Sequence, residues 1–192
     1  MIKLEIPIPE AKIRELHVGD TVLLSGLVVT ARDAGHKLMV EERPRFLDDL
    51  LREGVIYHCG PVVKKVGERW SFVAAGPTTS AREEPYQAKV IESYTVRGVI
   101  GKGGMGDATR EACRKFGAVY LHAVGGCGTS IARSVKEVLA VHKLEEFGTP
   151  EAFWVIRVED FPVIVTIDTH GNSIHERVRE DSKRVYEELM KG

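Results

Sequence analysis

Three short stretches of this chain carry more chemistry than a scaffold requires: Ala31-Arg32-Asp33-Ala34-Gly35-His36-Lys37, Gly76-Pro77-Thr78-Thr79-Ser80-Ala81-Arg82 and Gly101-Lys102-Gly103-Gly104-Met105-Gly106-Asp107. Each contributes a cation, Arg32, Arg82 and Lys102 in turn, and the second adds a group of hydroxyls. Cations gathered in this way in a chain of near-zero net charge complement a small dianion, such as a dicarboxylate. Gly103 and Gly104 let the backbone approach an anion closely, and the helix expected after them offers free N–H groups and a favourable dipole. Lys102 opens its loop instead of preceding a final Ser or Thr, so the stretch is not a P-loop, and GKGGMG is out of register with GxGxxG. Scaffold explanations compete at each point. Asp33 can cap a helix and pair with Arg32, and helix capping accounts for one of Thr78, Thr79 and Ser80 but not for three.

Each stretch lies where an apolar run gives way to a helical pattern. Residues 20–31, rich in β-branched side chains, predict a buried strand, followed by a helix from about Ala34 that Pro44 must end, and by a second helical piece, FLDDLLREG, stopping at Gly54. VIYHCG, VVKKVG and RWSFVAAG predict short strands with a hairpin turn at Gly67-Glu68. A helix over 84–93, the strand VRGVIG, a helix over 107–117, the strand AVYLHAVG, a glycine loop at 125–128 and a helix over 129–136 follow. In the 107–117 helix, Ala108, Ala112, Cys113 and Phe116 form one apolar stripe. Two late strands, FWVIRV and FPVIVTID, precede a turn at His170-Gly171-Asn172 and a closing helix. Ser173 and Glu176 form a capping box for that helix, and Ile174, Val178, Val185 and Leu189 keep helical period along it. This alternation predicts an α/β fold with an at least partly parallel sheet, whose loops gather at the carboxyl ends of strands.

The chain has 192 residues, enough for one domain over 1–192 with a substantial core, and no linker or repeat divides it. Its 27 Lys and Arg against 28 Asp and Glu argue against nucleic acid or an anionic membrane as partner. The longest apolar stretch, Val22 to Ala31, is broken by Ser25 and Gly26 and falls far short of the roughly 20 residues a bilayer requires. The opening MIKLEIPIPE lacks the apolar core of a signal peptide. Cys59, Cys113 and Cys127 are odd in number and contain no C-x-x-C, so neither a disulfide framework nor a metal cluster is expected; they read as buried thiols in a reducing cytoplasm. His17, His58, His122 and His142 are isolated and read as core or surface imidazoles, while His170 and His175 flank the late turn.

In their order along the chain, ARDAGHK, GPTTSAR and GKGGMG, followed by GG-x-G and VTIDTHGNS, resemble the β subunit, or equivalent C-terminal domain, of class I iron–sulfur fumarate hydratases and their L-tartrate dehydratase relatives. The resemblance runs from about Gly19 to the C-terminus. It implies a swivelling β/β/α domain with a mixed, partly parallel sheet, closing over an active site supplied mostly by a larger α subunit. That partner would hold a [4Fe-4S] cluster through three cysteines, and this chain would hold no metal. By motif, Arg32, Arg82 and Lys102 correspond to contacts with the substrate carboxylates, and Thr78 to the hydroxyl proposed as acid/base group at the substrate carbon. Asp33, His36, Thr79, Gly103 and Gly104 are supporting candidates beside them. The implied activity is reversible hydration of fumarate to (S)-malate, only with the α subunit, in an α2β2 assembly, with a homodimer expected for the chain alone. Dehydration of L-tartrate is the alternative, and Gly35, Leu38, Glu83 and Cys127-Gly128, which depart from the family's usual residues, do not decide between them. A non-catalytic anion-binding or regulatory module and a purely structural subunit are readings of other classes.

Overall fold

The computed structural model describes residues 1–191. Two long strands form its central ribbon: β2 (Thr21–Thr30) and β9 (Phe153–Ile167), antiparallel from Thr21 opposite Ile164 to Val29 opposite Val155. The outer edge of β2 is shared by β1 (Ile2–Ile6) and β3 (Val55–Tyr57), both parallel to it. The outer edge of β9 is shared by β7 (Val119–His122) and β8 (Val135–His142), both antiparallel to it. Between β3 and β7 lies β6 (Gly98–Gly101), parallel to each. Hydrogen bonding therefore runs β2, β3, β6, β7, β9 and back to β2, and the sheet closes on itself. The ribbon bends to allow this. Gly26 has φ +115°, and a Cβ there would lie 2.6 Å from the Ile6 carbonyl oxygen, so the bulge between Leu24 and Gly26 requires glycine.

Side chains alternate between the two faces of this sheet. Val28, Tyr57, Ile100 and Leu121 point into the curl, where Trp154 and Phe161 join them, whereas Val29, Ile56, Val99 and Tyr120 point outward. The outward set packs under α2 (Asp33–Glu41), α3 (Asp48–Leu51), α4 (Glu84–Tyr94) and α5 (Asp107–Phe116) through Met39, Leu51, Val90, Ile91 and Cys113. The layers are thus sheet, sheet and helix. With both faces buried, the strands read as continuous apolar runs rather than alternating ones. The hairpin of β4 (Val62–Val66) and β5 (Arg69–Ala74) turns at Gly67 as expected and closes one end of the inner core through Trp70 and Phe72.

Two expectations are corrected and two others are added to. The helix assigned to 129–136 ends at Ala132 as α6 (Gly128–Ala132), and the residues after it form β8, because the first half of β9 needs an edge partner and Val135, Val138 and Val141 pack on the core. The two late strands are one, β9: its polar interruption is absorbed by Asp160 at φ +47°, whose N–H donates to Ser25 Oγ at 3.1 Å. The opening residues, unassigned from sequence, form β1 and α1 (Glu10–Arg14). α8 (Ile174–Leu189) begins at the expected cap, with the Glu176 N–H donated to Ser173 Oγ, but none of its residues is buried and Leu189 is 75% exposed. A short α7 (Leu144–Phe147) joins β8 to β9.

Candidate active site

Arg32 stands at the turn from β2 into α2 and Lys102 directly follows β6, both at carboxyl ends of parallel strands. The Thr78 stretch arrives differently from its expected position: it leaves the β4–β5 hairpin and is stitched back between the ends of β3 and β6. The Thr78 N–H donates to the His58 carbonyl at 2.6 Å, the Lys102 N–H to the Thr78 carbonyl at 3.2 Å, and the Ser80 N–H to the Lys102 carbonyl at 3.0 Å. Arg82 reaches back to the first loop, where Asp33 Oδ2 lies 2.9 Å from Arg82 Nη2 and 3.8 Å from Arg32 Nη2. Glu151 lies 3.3 Å from Arg32 Nε. The three loops thus lie side by side, the Arg82 stretch tied to the Arg32 loop through Asp33 and the Lys102 loop tied to the Thr78 stretch through backbone hydrogen bonds. Among the described residues Lys102 has no carboxylate partner, and its chain lies alongside Gly125 of the second glycine loop.

The hydroxyls divide by role. Thr79 sits at the start of the short 3-10 turn over residues 80–82 and Glu83 at the start of α4, and neither side chain caps its helix. Ser80 is buried and turned inward: its Oγ lies 2.8 Å from His58 Nδ1 and receives the Tyr120 hydroxyl at 2.9 Å. His58 Nε2 lies 2.8 Å and His36 Nε2 3.0 Å from Gln87 Oε1, and His36 Nδ1 lies 2.9 Å from the Arg32 carbonyl. Burial lowers the pKa of both histidines, and each also feels a neighbour: His36 the charge of Asp33 and His58 the proximity of His36. Glu83 is fully buried with no hydrogen-bond partner on either oxygen. Burial first, then the charge of Asp33, pushes its carboxyl up to about 7 against the opposing pull of Arg82 and Arg32.

The glycine loop corrects a further expectation. The donors at the α5 N-terminus are in part already taken, because the Glu84 carboxylate accepts from the N–H groups of Gly106 at 2.7 Å and Thr109 at 3.2 Å and from the Thr109 hydroxyl. The chain supplies its own anion there. Gly104, at φ +81°, lies against the His175 ring where no Cβ fits, and Gly103 stands exposed beside Thr79.

Burial pushes the Cys59 and Cys113 thiols up to about 12 each, which keeps them as protonated core groups. Cys127 is exposed, against the expectation of three buried thiols, because it sits in the second glycine loop just before α6. Among the described residues no three His, Cys, Asp or Glu side chains converge as a metal would require, so the residues of this chain do not fit an iron–sulfur cluster. His58 and Gln87, which the sequence left as an isolated histidine and a helix position, prove to lie beneath the site. The available signal was the spacing of Glu83 and Gln87, four apart on one face of the helix that opens beside Arg82.

Residues 1–178 match the model of the family described as the fumarase C-terminus. A Geobacillus stearothermophilus protein provisionally named as a class I fumarate hydratase is 48% identical over 95% of this chain, which spans only 35% of that protein. The β subunit of Escherichia coli L(+)-tartrate dehydratase is 43% identical over 89% of this chain and 85% of its own length. A Methanocaldococcus jannaschii protein provisionally named as the same kind of subunit is 43% identical over 92% of the chain and 91% of its own length. Among the described residues no helix is long and apolar enough to cross a membrane.

Proposed function

Since this chain belongs to the fumarase C-terminal family, we propose that it is the β subunit of a class I fumarate hydratase, adding water to fumarate to give (S)-malate together with an α subunit. The observation that supports the reading is that the loops of Arg32, Thr78, Arg82 and Lys102 are tied together, by the Arg82–Asp33 pair and by the backbone bonds between Thr78, Ser80 and Lys102. Removing a proton from the carbon next to a carboxylate drives negative charge onto that carboxylate, and the guanidinium forks of Arg32 and Arg82 with the Lys102 ammonium hold it as it grows. Asp33, bonded to Arg82 and close to Arg32, orients both forks and offsets part of their charge before substrate arrives. The hydroxyl of Thr78, a residue whose own backbone is bonded to those of His58 and Lys102, meets the substrate carbon and passes the proton, the neighbouring cations making it more acidic than a free alcohol. The substrate hydroxyl needs a Lewis acid that these residues do not provide, and we place a [4Fe-4S] cluster on the α subunit for it.

Dehydration of L-tartrate is the second reading, favoured by one observation: the relatives whose length matches this chain carry the name of tartrate dehydratase β subunits. Co-production with the α subunit, anaerobic purification and assay on both substrates tests both. Hydration of fumarate with negligible tartrate turnover supports the first reading, the reverse supports the second, and a complex inert on both sinks the enzyme assignment.

A further inference from the structure

We propose that Gln87 is a positioning residue of this site: its side-chain NH2 lies between the bare Nε2 atoms of His36 and His58 and ties the Arg32 loop to the Ser80 loop. The proposal rests on reading these loops as the substrate surface, and it follows from donor and acceptor chemistry. The Arg32 carbonyl can only accept, so the His36 Nδ1 that faces it at 2.9 Å must carry the proton. His36 has no exposure, and a fully buried imidazole is held neutral, which leaves its Nε2 as a bare acceptor. The position of Gln87 Oε1, 3.0 Å from that nitrogen, therefore has to be taken by the amide nitrogen with the side chain turned over, because a carbonyl oxygen there sets two lone pairs against each other. The same amide atom lies 2.8 Å from His58 Nε2, so its two hydrogens satisfy both rings at once.

An independent observation agrees. With the Gln87 oxygen between the rings, its NH2 is buried without any partner, leaving two donors unused. With the amide turned, the Gln87 carbonyl and the Ser80 hydroxyl proton are left over, but the opposed lone pairs at His36 Nε2 are removed. His58 must then carry its proton on Nδ1 and donate to Ser80 Oγ, which also receives the Tyr120 hydroxyl, and both oxygens lie against Gly101 at the start of the glycine loop. One buried chain thus runs from the Arg32 carbonyl through His36, Gln87, His58, Ser80 and Tyr120 to the glycine loop. It touches each of the three loops that present a substrate cation, and Gln87 is its only two-way donor.

Nitrogen-15 spectra of the histidine rings in the full chain read the protonation pattern directly. Both His36 and His58 are expected as neutral rings with Nδ1–H and a bare Nε2, and an Nε2 proton on either ring would falsify the assignment. This measurement needs no variant and no substrate, so it stands even if the assignment of activity fails. Gln87→Glu, with its carboxylate ionised, offers acceptors only and should force a proton onto at least one Nε2, seen as an Nε2–H signal absent from the native chain. In the complex with the α subunit, Gln87→Leu should raise KM at least about tenfold while kcat changes less than about threefold, the mark of lost positioning. A KM within about twofold of native for both variants overturns the positioning role.

Discussion

Thr78 enters the site with its amide and carbonyl both engaged by backbone, so its hydroxyl is the one polar group it has left for chemistry. Thr78→Ala should therefore cost little stability, within about 0.5 kcal/mol, yet lower turnover of the αβ complex at least about a hundredfold. Thr78→Ser should keep part of the rate, and native turnover in the alanine variant would remove Thr78 from the proton path. Arg82→Ala should lower kcat/KM roughly ten- to hundredfold, and Arg82→Lys should not restore it, because a point ammonium cannot reproduce a two-pronged contact. Glu83 makes a prediction about pH. Its carboxyl, held near 7 when folded against an ordinary value near 4.5, keeps a proton that the unfolded chain has released, so stability falls as pH rises across that window and levels off above it. Glu83→Gln removes this fall and should be more stable than the native chain above about pH 7, in urea midpoints taken across the range; an unchanged profile would show that Glu83 ionises normally. Arg32, Thr78, Arg82 and Lys102 were legible in the sequence because cations and hydroxyls stand out beside glycine. Glu83, His58 and Gln87 were not, because a buried polar side chain declares itself only through the neighbours that satisfy it or fail to.

At the level of elements, Glu84 is the joint between two helices. It is the first residue of α4, yet its carboxylate caps α5, and the helices pack side by side over the sheet. Glu84→Ala should cost about 1–2 kcal/mol and loosen the glycine loop with it, read as faster amide exchange at Gly106 and Thr109. Equal stability and exchange would show that water replaces the carboxylate without loss. Most strands and helices could be read from period and punctuation. β8 could not: the run Lys136 to Val141 is compatible with helix, and what makes it a strand is the unpaired edge of β9, which no local window contains. The stripe on α8 was read correctly as periodic, and period reports amphipathicity but says nothing of what lies opposite: none of the helix is buried.

Across the whole molecule, closure of the sheet depends on the bend at Gly26. Gly26→Ala should cost about 1–3 kcal/mol through its positive φ and the close Ile6 carbonyl, whereas Gly125→Ala, with ordinary φ and a single distant neighbour, should change the melting temperature little. Equal melting temperatures for the two would show that the ribbon bends elsewhere. The parallel run was visible in the sequence, but its closure was not, because the partners that close it lie at opposite ends of the chain. That separation shapes the birth of the protein. β2 is complete by Thr30, but β9 begins only at Phe153, so a chain emerging from the ribosome carries the parallel strands with two open edges for most of its synthesis. A product terminated before Phe153 keeps the edges of β2 and β7 permanently open, ready to pair with any other strand it meets. One terminated within α8 has its ring already closed. Translational quality control should thus treat two truncations of this gene differently, degrading or aggregating the first and releasing the second.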